Sequence, residues 1–345
     1  MDVQTPPHVV ALAPALARAL RGLAILSPTQ YSFAGQTIDV PPPASGAAAG
    51  GAQPQHAMVA ALQTQLYATV YNRPFDERPV TPPATFTEIA DVLSRANAGR
   101  ERWDHGWQVY EAAPNGVIQA HKHGKAQMFY PGQYQPLGAA PGAQPAIQNG
   151  AFVNVYLAKE MRFFQDGFYI VLGEQVQPWY EQVTLVRLYW HVDAAGAEAL
   201  VRHVTRRFNR FQVPFRFKCL SYRELYDRYD AAVLFVGRRQ WDITALLVRE
   251  LYDAVKDRLQ PETPLFTKQL APGLALAEDP GNGESFGTSR CRLVAEGLWN
   301  AYARGLQTES ARIEDITATF VRAGIPPDRP YLTAGSVDLY DLRID

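Results

Sequence analysis

The sequence predicts an α+β fold: a central mixed, largely antiparallel sheet with a crossover helix, flanked by an N-terminal helical region and C-terminal helices. Three patterns lead to it. Residues 183–192 alternate as a strand, 213–220 and 231–236 are two more short extended runs, and between the first two Ala197, Leu200, Val201, Val204 and Phe208 recur on one helical face. Residues 103–134 break into short extended runs with turn signals at Pro114-Asn115-Gly116 and His123-Gly124, as antiparallel hairpins do. Helical spacing over 289–303 and 308–322 completes the chain, the last run ending at Gly324 with Pro326 beyond.

From the N-terminus, Thr5 before Pro6 reads as a cap with proline in the first turn, and Val9, Leu12, Leu16 and Leu20 follow at helical spacing. Residues 36–55 are rich in Pro, Ala and Gly with few charges, a composition that buries little surface and reads as an irregular or mobile linker. Helical periodicity returns at 58–71 and 86–96, so 1–97 is read as an N-terminal helical region and 98–345 as the α/β body. Residues 131–150 form a further loop, and 152–172 contain two extended candidates. The strand, helix and strand within 183–220 suggest a crossover, with an antiparallel return as the alternative, and Asp193 is placed to cap the helix. A helix over 241–258 follows.

The chain has 345 residues, long for a single core, with 33 basic and 34 acidic side chains and a net charge of −1. That balance argues against bulk attraction to nucleic acid or an anionic membrane, while leaving room for local positive patches. The apolar stretch 9–26 is interrupted by Pro14, Arg18 and Arg21, so it reads neither as a membrane span nor as a signal peptide. Two cysteines, Cys219 and Cys291, fall inside apolar patterns and are expected to be buried and reduced, consistent with a cytoplasmic protein.

Strand alternation sorts the side chains of the central unit. Arg187, Tyr189 and His191 fall on one face of the first strand, opposite Val186, Leu188, Trp190 and Val192, while Arg216 and Lys218 share a face of the second, opposite Phe215, Phe217 and Cys219. If the polar faces coincide, the protein has a cationic floor; a solvated outer sheet face would give the same pattern. Further on, Pro264-Leu265-Phe266-Thr267-Lys268 precedes the loop Gly281-Asn282-Gly283-Glu284-Ser285-Phe286-Gly287, which opens a helix carrying Arg290. Glycines that turn N–H groups outward, a helix N-terminus and a guanidinium together make an anion pocket, with Ser285, Gly287 and Arg290 as its phosphate contacts; a capped helix after a surface loop is the other reading. Arg228 and Asp230 are suited either to holding a phosphate or to forming a structural ion pair. His121-Lys122-His123-Gly124-Lys125 has ligand spacing without a third ligand, so a surface turn is expected and no metal site is assigned. The nucleotide loop GxxxxGK[ST], HExxH, CxxC and the kinase HRD string are all absent.

The run Leu185-Val186-Arg187-Leu188-Tyr189-Trp190, then Asn209, Pro214-Phe215, Lys218, Tyr226-Asp227-Arg228-Tyr229-Asp230 and Val233-Leu234, and above all PLFTK with PGLALAEDPGNGESFGTSRCRLVAEGL over 264–298, resembles the HopA-type effector family. With Trp103-Asp104-His105-Gly106-Trp107 upstream, the resemblance covers roughly residues 97–298. Family members occur as plant-pathogen effectors and beside gene sets for ribosomally synthesised, modified peptides. In the latter, as in class V lanthipeptide and thioamide-peptide systems, the resemblance implies a phosphoserine/phosphothreonine lyase. A separate kinase phosphorylates the precursor peptide, and the HopA-like protein eliminates phosphate to leave dehydroalanine or dehydrobutyrine.

Elimination needs a base for the Cα proton, cations for the departing phosphate and the developing enolate, and an acid for the leaving oxygen, with no metal or organic cofactor required. Lys218 or Lys268 is the candidate base, on condition that neighbouring cations and burial favour the free amine. Arg187, Arg228 and Arg290 are candidates to hold the phosphate, His191 or His123 to donate a proton, and Asp230 to orient Arg228. The lysine, X, histidine arrangement of the better-known effector phosphothreonine lyases does not appear here, so these roles rest on chemistry alone. The expected partners are a phosphorylated precursor peptide and its cognate kinase. The competing reading is a non-catalytic effector or peptide-binding module of the same shape.

Overall fold

A computed structural model describes residues 14–41, 54–75, 83–137, 147–178 and 181–342. Leu16, Ala19 and Leu20 are buried along a short helix, α1 (Pro14–Arg21), which leads into an antiparallel sheet of β1 (Leu23–Ser27), β2 (Gln30–Phe33) and β3 (Gln36–Asp39). The β2–β3 turn holds Ala34 and Gly35 at φ of 49° and 78°, the left-handed pair that matches a two-residue hairpin to the twist of its strands. Helix α2 (Pro54–Leu66) buries Met58, Leu62 and Leu66 and passes directly into a π-helical turn, Tyr67–Tyr71.

After α3 (Ala90–Ala96) come β4 (Arg102–Ala112), β5 (Ile118–Lys122), β6 (Lys125–Phe129), β7 (Tyr134–Pro136) and β8 (Phe152–Leu157), an antiparallel sheet in the order β6-β5-β4-β8-β7. Its buried side gathers Trp107, Val109, Ile118, Ala120, Phe129, Val153, Val155 and Leu157. The chain continues through β9 (Glu160–Met161), β10 (Phe168–Leu172), β11 (Leu185–Trp190), α4 (Ala194–Arg210), β12 (Phe215–Leu220), β13 (Ala232–Gly237) and α5 (Trp241–Val255). It closes with the hairpin β14 (Lys268–Ala271) and β15 (Leu274–Glu278), then α6 (Phe286–Ala303) and α7 (Glu309–Arg322).

The chain divides into two compact units. The first comprises Met1–Ala84, Asp227–Asp230 and Pro261–Asp341; the second comprises Thr85–Tyr226, Ala231–Gln260 and Leu342–Asp345. In the second, β11 and β12 both pair antiparallel with β13, β12 pairs with β10, and β10 with β9. Strands β11 and β12 therefore run parallel to each other with β13 between them, and α4 is the crossover that joins them. Asp193 caps α4 as expected, its carboxylate accepting from the Gly196 amide at 2.7 Å.

The N-terminal region departs from the expected helices. Strands β1 and β2 occupy a stretch whose alternation, Leu23 and Ile25 buried against Tyr31 and Phe33, is too short to stand out beside the helical spacing before it. Strand β3 lies inside the expected linker, whose Pro/Ala/Gly-rich part at 42–53 is outside the described residues, as is the expected helix start over 5–12. The expected loop at 131–150 contains β7, and the third candidate helix, read over 86–96, begins only at Ala90.

Candidate anion-binding site

Antiparallel register settles which side chains of the second unit share a face. Arg187 lies opposite Phe235, Phe235 opposite Arg216, and Arg216 opposite Leu172; in the next row but one, Tyr189, Val233, Lys218 and Ile170 follow one another across the same strands. Residues directly opposite point to the same side, so Arg187, Tyr189, Arg216 and Lys218 form one cationic face, and His191 continues it beyond the end of β11 by alternation. Arg187, Tyr189 and His191 are all less than a tenth exposed, which separates this face from a solvated outer sheet surface.

An aromatic ring organises the cations. The guanidinium carbons of Arg187 and Arg216 lie 5.3 and 4.7 Å from the Phe235 centroid, and the Lys218 ammonium is 4.4 Å from the Phe168 ring and 6.0 Å from that of Phe235. The negative ring face attracts each cation by roughly 0.5–2 kcal/mol and so offsets part of their mutual repulsion. Behind the sheet, α4 packs against the opposite face, Phe208 meeting Phe215 edge to face at 5.4 Å. Burial there pushes the Cys219 thiol up to about 12, so it is a packing group with little thiolate. Arg216 was not among the expected phosphate ligands; its place beside Phe235 follows from the insertion of β13, which spacing alone does not reveal.

The glycine-loop motif in the first unit has a different use. Gly281 and Gly283 take φ of 73° and 83°, conformations open to glycine, but the loop closes on itself: Asp279 accepts from the Gly281 amide and Asn282 from that of Glu284. Ser285 caps α6 by accepting from the Thr288 amide at 3.1 Å, the capped-helix reading. Gly287 makes room for an aromatic ring, since a methyl there would overlap Tyr71. Arg290 is 1 % exposed, lies over Phe286 at 4.7 Å, and donates to the carbonyls of Pro330 and Leu332 and to the Ser289 hydroxyl at 2.7, 2.8 and 3.2 Å. Its guanidinium is thus a clamp on the chain's own backbone rather than the phosphate ligand expected from the motif.

Lys268, the second candidate base, uses its three N–H donors on both Asp338 carboxylate oxygens and the Tyr340 carbonyl at 2.9, 2.8 and 2.7 Å. Its donors are thus taken up within the chain itself, which opposes a role as base. Glu278 completes the arrangement. Its buried carboxylate accepts from the Thr333 amide and hydroxyl and from the hydroxyls of Ser336 and Tyr340, between 2.5 and 2.8 Å. Burial alone would raise its pKa, but these hydrogen bonds outweigh it and hold the carboxyl below its ordinary value. Lys268, Glu278 and Arg290 therefore grip one irregular segment, 330–340.

Arg228 and Asp230 form a bidentate pair, both bonds 2.9 Å, in the first unit, and Tyr67 donates to Asp230 at 3.4 Å. Burial opposes the Arg228 charge, yet the neighbouring carboxylate raises its pKa overall. His123 occupies the exposed β5–β6 turn at φ 49°, so it sits on a different sheet of the second unit from the cationic face, and the surface-turn reading holds. Among the described residues no three His, Cys, Asp or Glu side chains are grouped to hold a metal ion, and no helix is long and apolar enough to cross a membrane.

The fold and site describe an α+β protein with an arginine- and lysine-bearing sheet face that is buried at Arg187, Tyr189 and His191, half-buried at Lys218 and exposed at Arg216. Its family follows from the sequence of that same region: the HopA1 effector protein family matches residues 160–332, half of the chain, and the protein belongs to it. No curated protein matches. Among solved structures it is similar to the effector protein from Pseudomonas syringae pv. syringae strain 61, with 14% identity, a TM-score of 0.43, and coverage of 81% of this chain and 97% of that one. It is also similar to the effector protein from Pseudomonas syringae pv. tomato strain DC3000, with 23% identity, a TM-score of 0.38 and coverage of 48% of this chain. The chain spans 63% of the length of that second protein.

Proposed function

We propose that the protein is a phosphoserine/phosphothreonine lyase that acts in the cytoplasm on a precursor peptide phosphorylated by a cognate kinase. The observation that supports this reading is the gathering of Arg187, Arg216 and Lys218 around Phe235 on one sheet face, with Tyr189 and His191 adjoining. A phosphate monoester carries between one and two negative charges at neutral pH and offers several acceptor oxygens, the complement of such a face. Two guanidinium groups bind the phosphate, and Lys218 takes the Cα proton. The electron pair forms the Cα=Cβ bond, the Cβ–O bond breaks, and inorganic phosphate departs with His191 as proton donor. The product is dehydrobutyrine from phosphothreonine or dehydroalanine from phosphoserine. Of the two lysines first considered, Lys218 is taken as the base because it shares this face with Arg187 and Arg216, whereas Lys268 lies in the other unit.

The test is incubation of the purified protein with a phosphothreonine peptide of the cognate precursor. Released phosphate is measured, together with loss of phosphoric acid from the peptide mass and trapping of the new alkene by a thiol. Lys218→Ala, Arg187→Ala and Arg216→Ala should each lower turnover at least a hundredfold, on the order expected for removing an acid–base or charge-stabilising group. Association with the phosphopeptide and no mass change, from a folded wild-type protein, would instead support the peptide-binding module.

A further inference from the structure

We infer that the outer face of helix α4 is a docking surface for an acidic segment of a partner protein, separate from the cationic sheet face and independent of the lyase reading. Arg202, Arg206 and Arg210 recur at a spacing of four, and His203 and Arg207 form the adjoining row. At about 100° per residue these five side chains occupy an arc of roughly 140°, while Ala197, Leu200, Val201, Val204 and Phe208 fill the buried arc opposite. Five groups able to carry positive charge within nine positions stand out in a chain whose net charge is −1.

The neighbourhood neutralises only part of this stripe. Arg202 pairs with Glu198 at 2.5 Å and Arg207 with Glu250 at 2.6 Å, whereas Arg206 and Arg210 are exposed and, among the described residues, have no carboxylate partner. The local potential registers on His203: burial first, then the charges of Arg202, Arg206 and Arg207, lower its pKa and so favour its neutral ring. Two of these arginines, Arg207 and Arg210, lie in the last turn and suit the helix dipole, but that benefit falls off within the last turn and does not require the stripe to begin at Arg202.

The chemistry of the stripe selects an acidic protein segment over a phosphate backbone or an anionic bilayer. Phe211, 46 % exposed, stands at the end of the stripe with the Arg207 guanidinium 5.2 Å from its ring, an apolar anchor beside the charges. Glu198 and Glu250, each paired with an arginine, interrupt the positive stripe, which suits a segment with spaced acidic side chains better than the continuous charge of a phosphate backbone. The α4 helix, 17 residues long, spans about 25 Å, the reach of a short peptide segment.

The experiment follows the anisotropy of a short fluorescein-labelled peptide of glutamate and leucine titrated with the full chain. Binding should weaken about tenfold or more in Arg206→Glu/Arg210→Glu, weaken steeply with added salt, and weaken by a smaller, salt-insensitive amount in Phe211→Ser. The exposed pair Arg322→Glu/Arg329→Glu, on the other unit, changes net charge equally and should bind as wild type. Circular-dichroism melts establish that each variant is folded. No binding by the wild type, equal loss in the control pair, or tighter binding of a single-stranded oligonucleotide or of phosphatidylserine vesicles than of the peptide would each overturn the inference.

Discussion

At the scale of single residues, the same side-chain types serve two ends, and their surroundings distinguish them. Arg187 and Arg290 are both buried, but Arg290 delivers its donors to the carbonyls of Pro330 and Leu332, while Arg187 lies across Phe235 from Arg216. Arg290→Ala should therefore cost about 3 kcal/mol of stability, from the cavity and from two carbonyls left without donors, and urea denaturation of the variant will measure it. An unchanged midpoint would mean that those bonds contribute nothing. Lys218→Ala, by contrast, should unfold within about 1 kcal/mol of wild type, since it removes a cation from a crowded positive face. The sequence supplied the residue types and, through strand alternation, the faces of Arg187 and Lys218. It could not show where Arg290 and Lys268 point, because their partners lie in residues 330–340, a stretch without periodicity. Gly287 makes the same point. It reads as a phosphate-loop glycine, yet the structure uses its missing side chain to seat Tyr71, and Gly287→Ala should destabilise by roughly 1–3 kcal/mol in the same denaturation assay.

At the scale of elements, the segment 330–340 is an irregular strap whose order depends on three charged groups of the hairpin and of α6. Glu278 gives it a pH signature. Its folded pKa is depressed below the unfolded value near 4.3, so its contribution to stability is fully present above that value and is lost as pH falls through the folded pKa. Asp338, also held down despite burial, by Lys268 and Tyr331, acts in the same direction. Thermal melts between pH 7 and pH 3 should show a falling midpoint below about pH 4.5. Glu278→Gln should lose roughly 2 kcal/mol at neutral pH and show a shallower acid slope, Asp338 supplying the remainder. An identical slope in the variant would assign the acid sensitivity elsewhere. The crossover was legible for a related reason in reverse: β11, α4 and β12 each carry their own periodic pattern and a cap at Asp193. The entry of β13 between the two strands, which completes the cationic face, is a long-range pairing with no local signal.

At the scale of the molecule, the family match covers residues 160–332, but the first unit is assembled from three separate parts of the chain. Besides the Tyr67–Asp230 hydrogen bond, further contacts tie residues 63–73, outside the match, to residues within it. The Gln63 side chain donates to the Thr288 carbonyl at 3.0 Å, the Leu265 amide to the Tyr71 carbonyl at 2.9 Å, the Tyr229 amide to the Asn72 carbonyl at 2.8 Å, and Arg73 pairs with Asp227 at 2.8 Å. Tyr71 also fills the space above Gly287, and Arg312 of α7 donates to the Leu23 carbonyl. At the other end, the strap beyond Leu332 supplies every acceptor of Lys268 and every donor to the Glu278 carboxylate described above, and the Glu278 amide donates to the Tyr331 carbonyl at 2.8 Å. A fragment of residues 160–332 would leave these buried polar groups unpaired and the apolar sides of α6 and α7 uncovered, costs that together exceed the 5–15 kcal/mol by which a domain is ordinarily stable. It should therefore show no cooperative urea transition and rapid amide exchange over α6 and α7, while the full chain unfolds cooperatively with slow exchange there. A fragment that retained the full chain's exchange protection in α6 would mean that residues before 160 and after 332 are accessory to the first unit rather than part of its core.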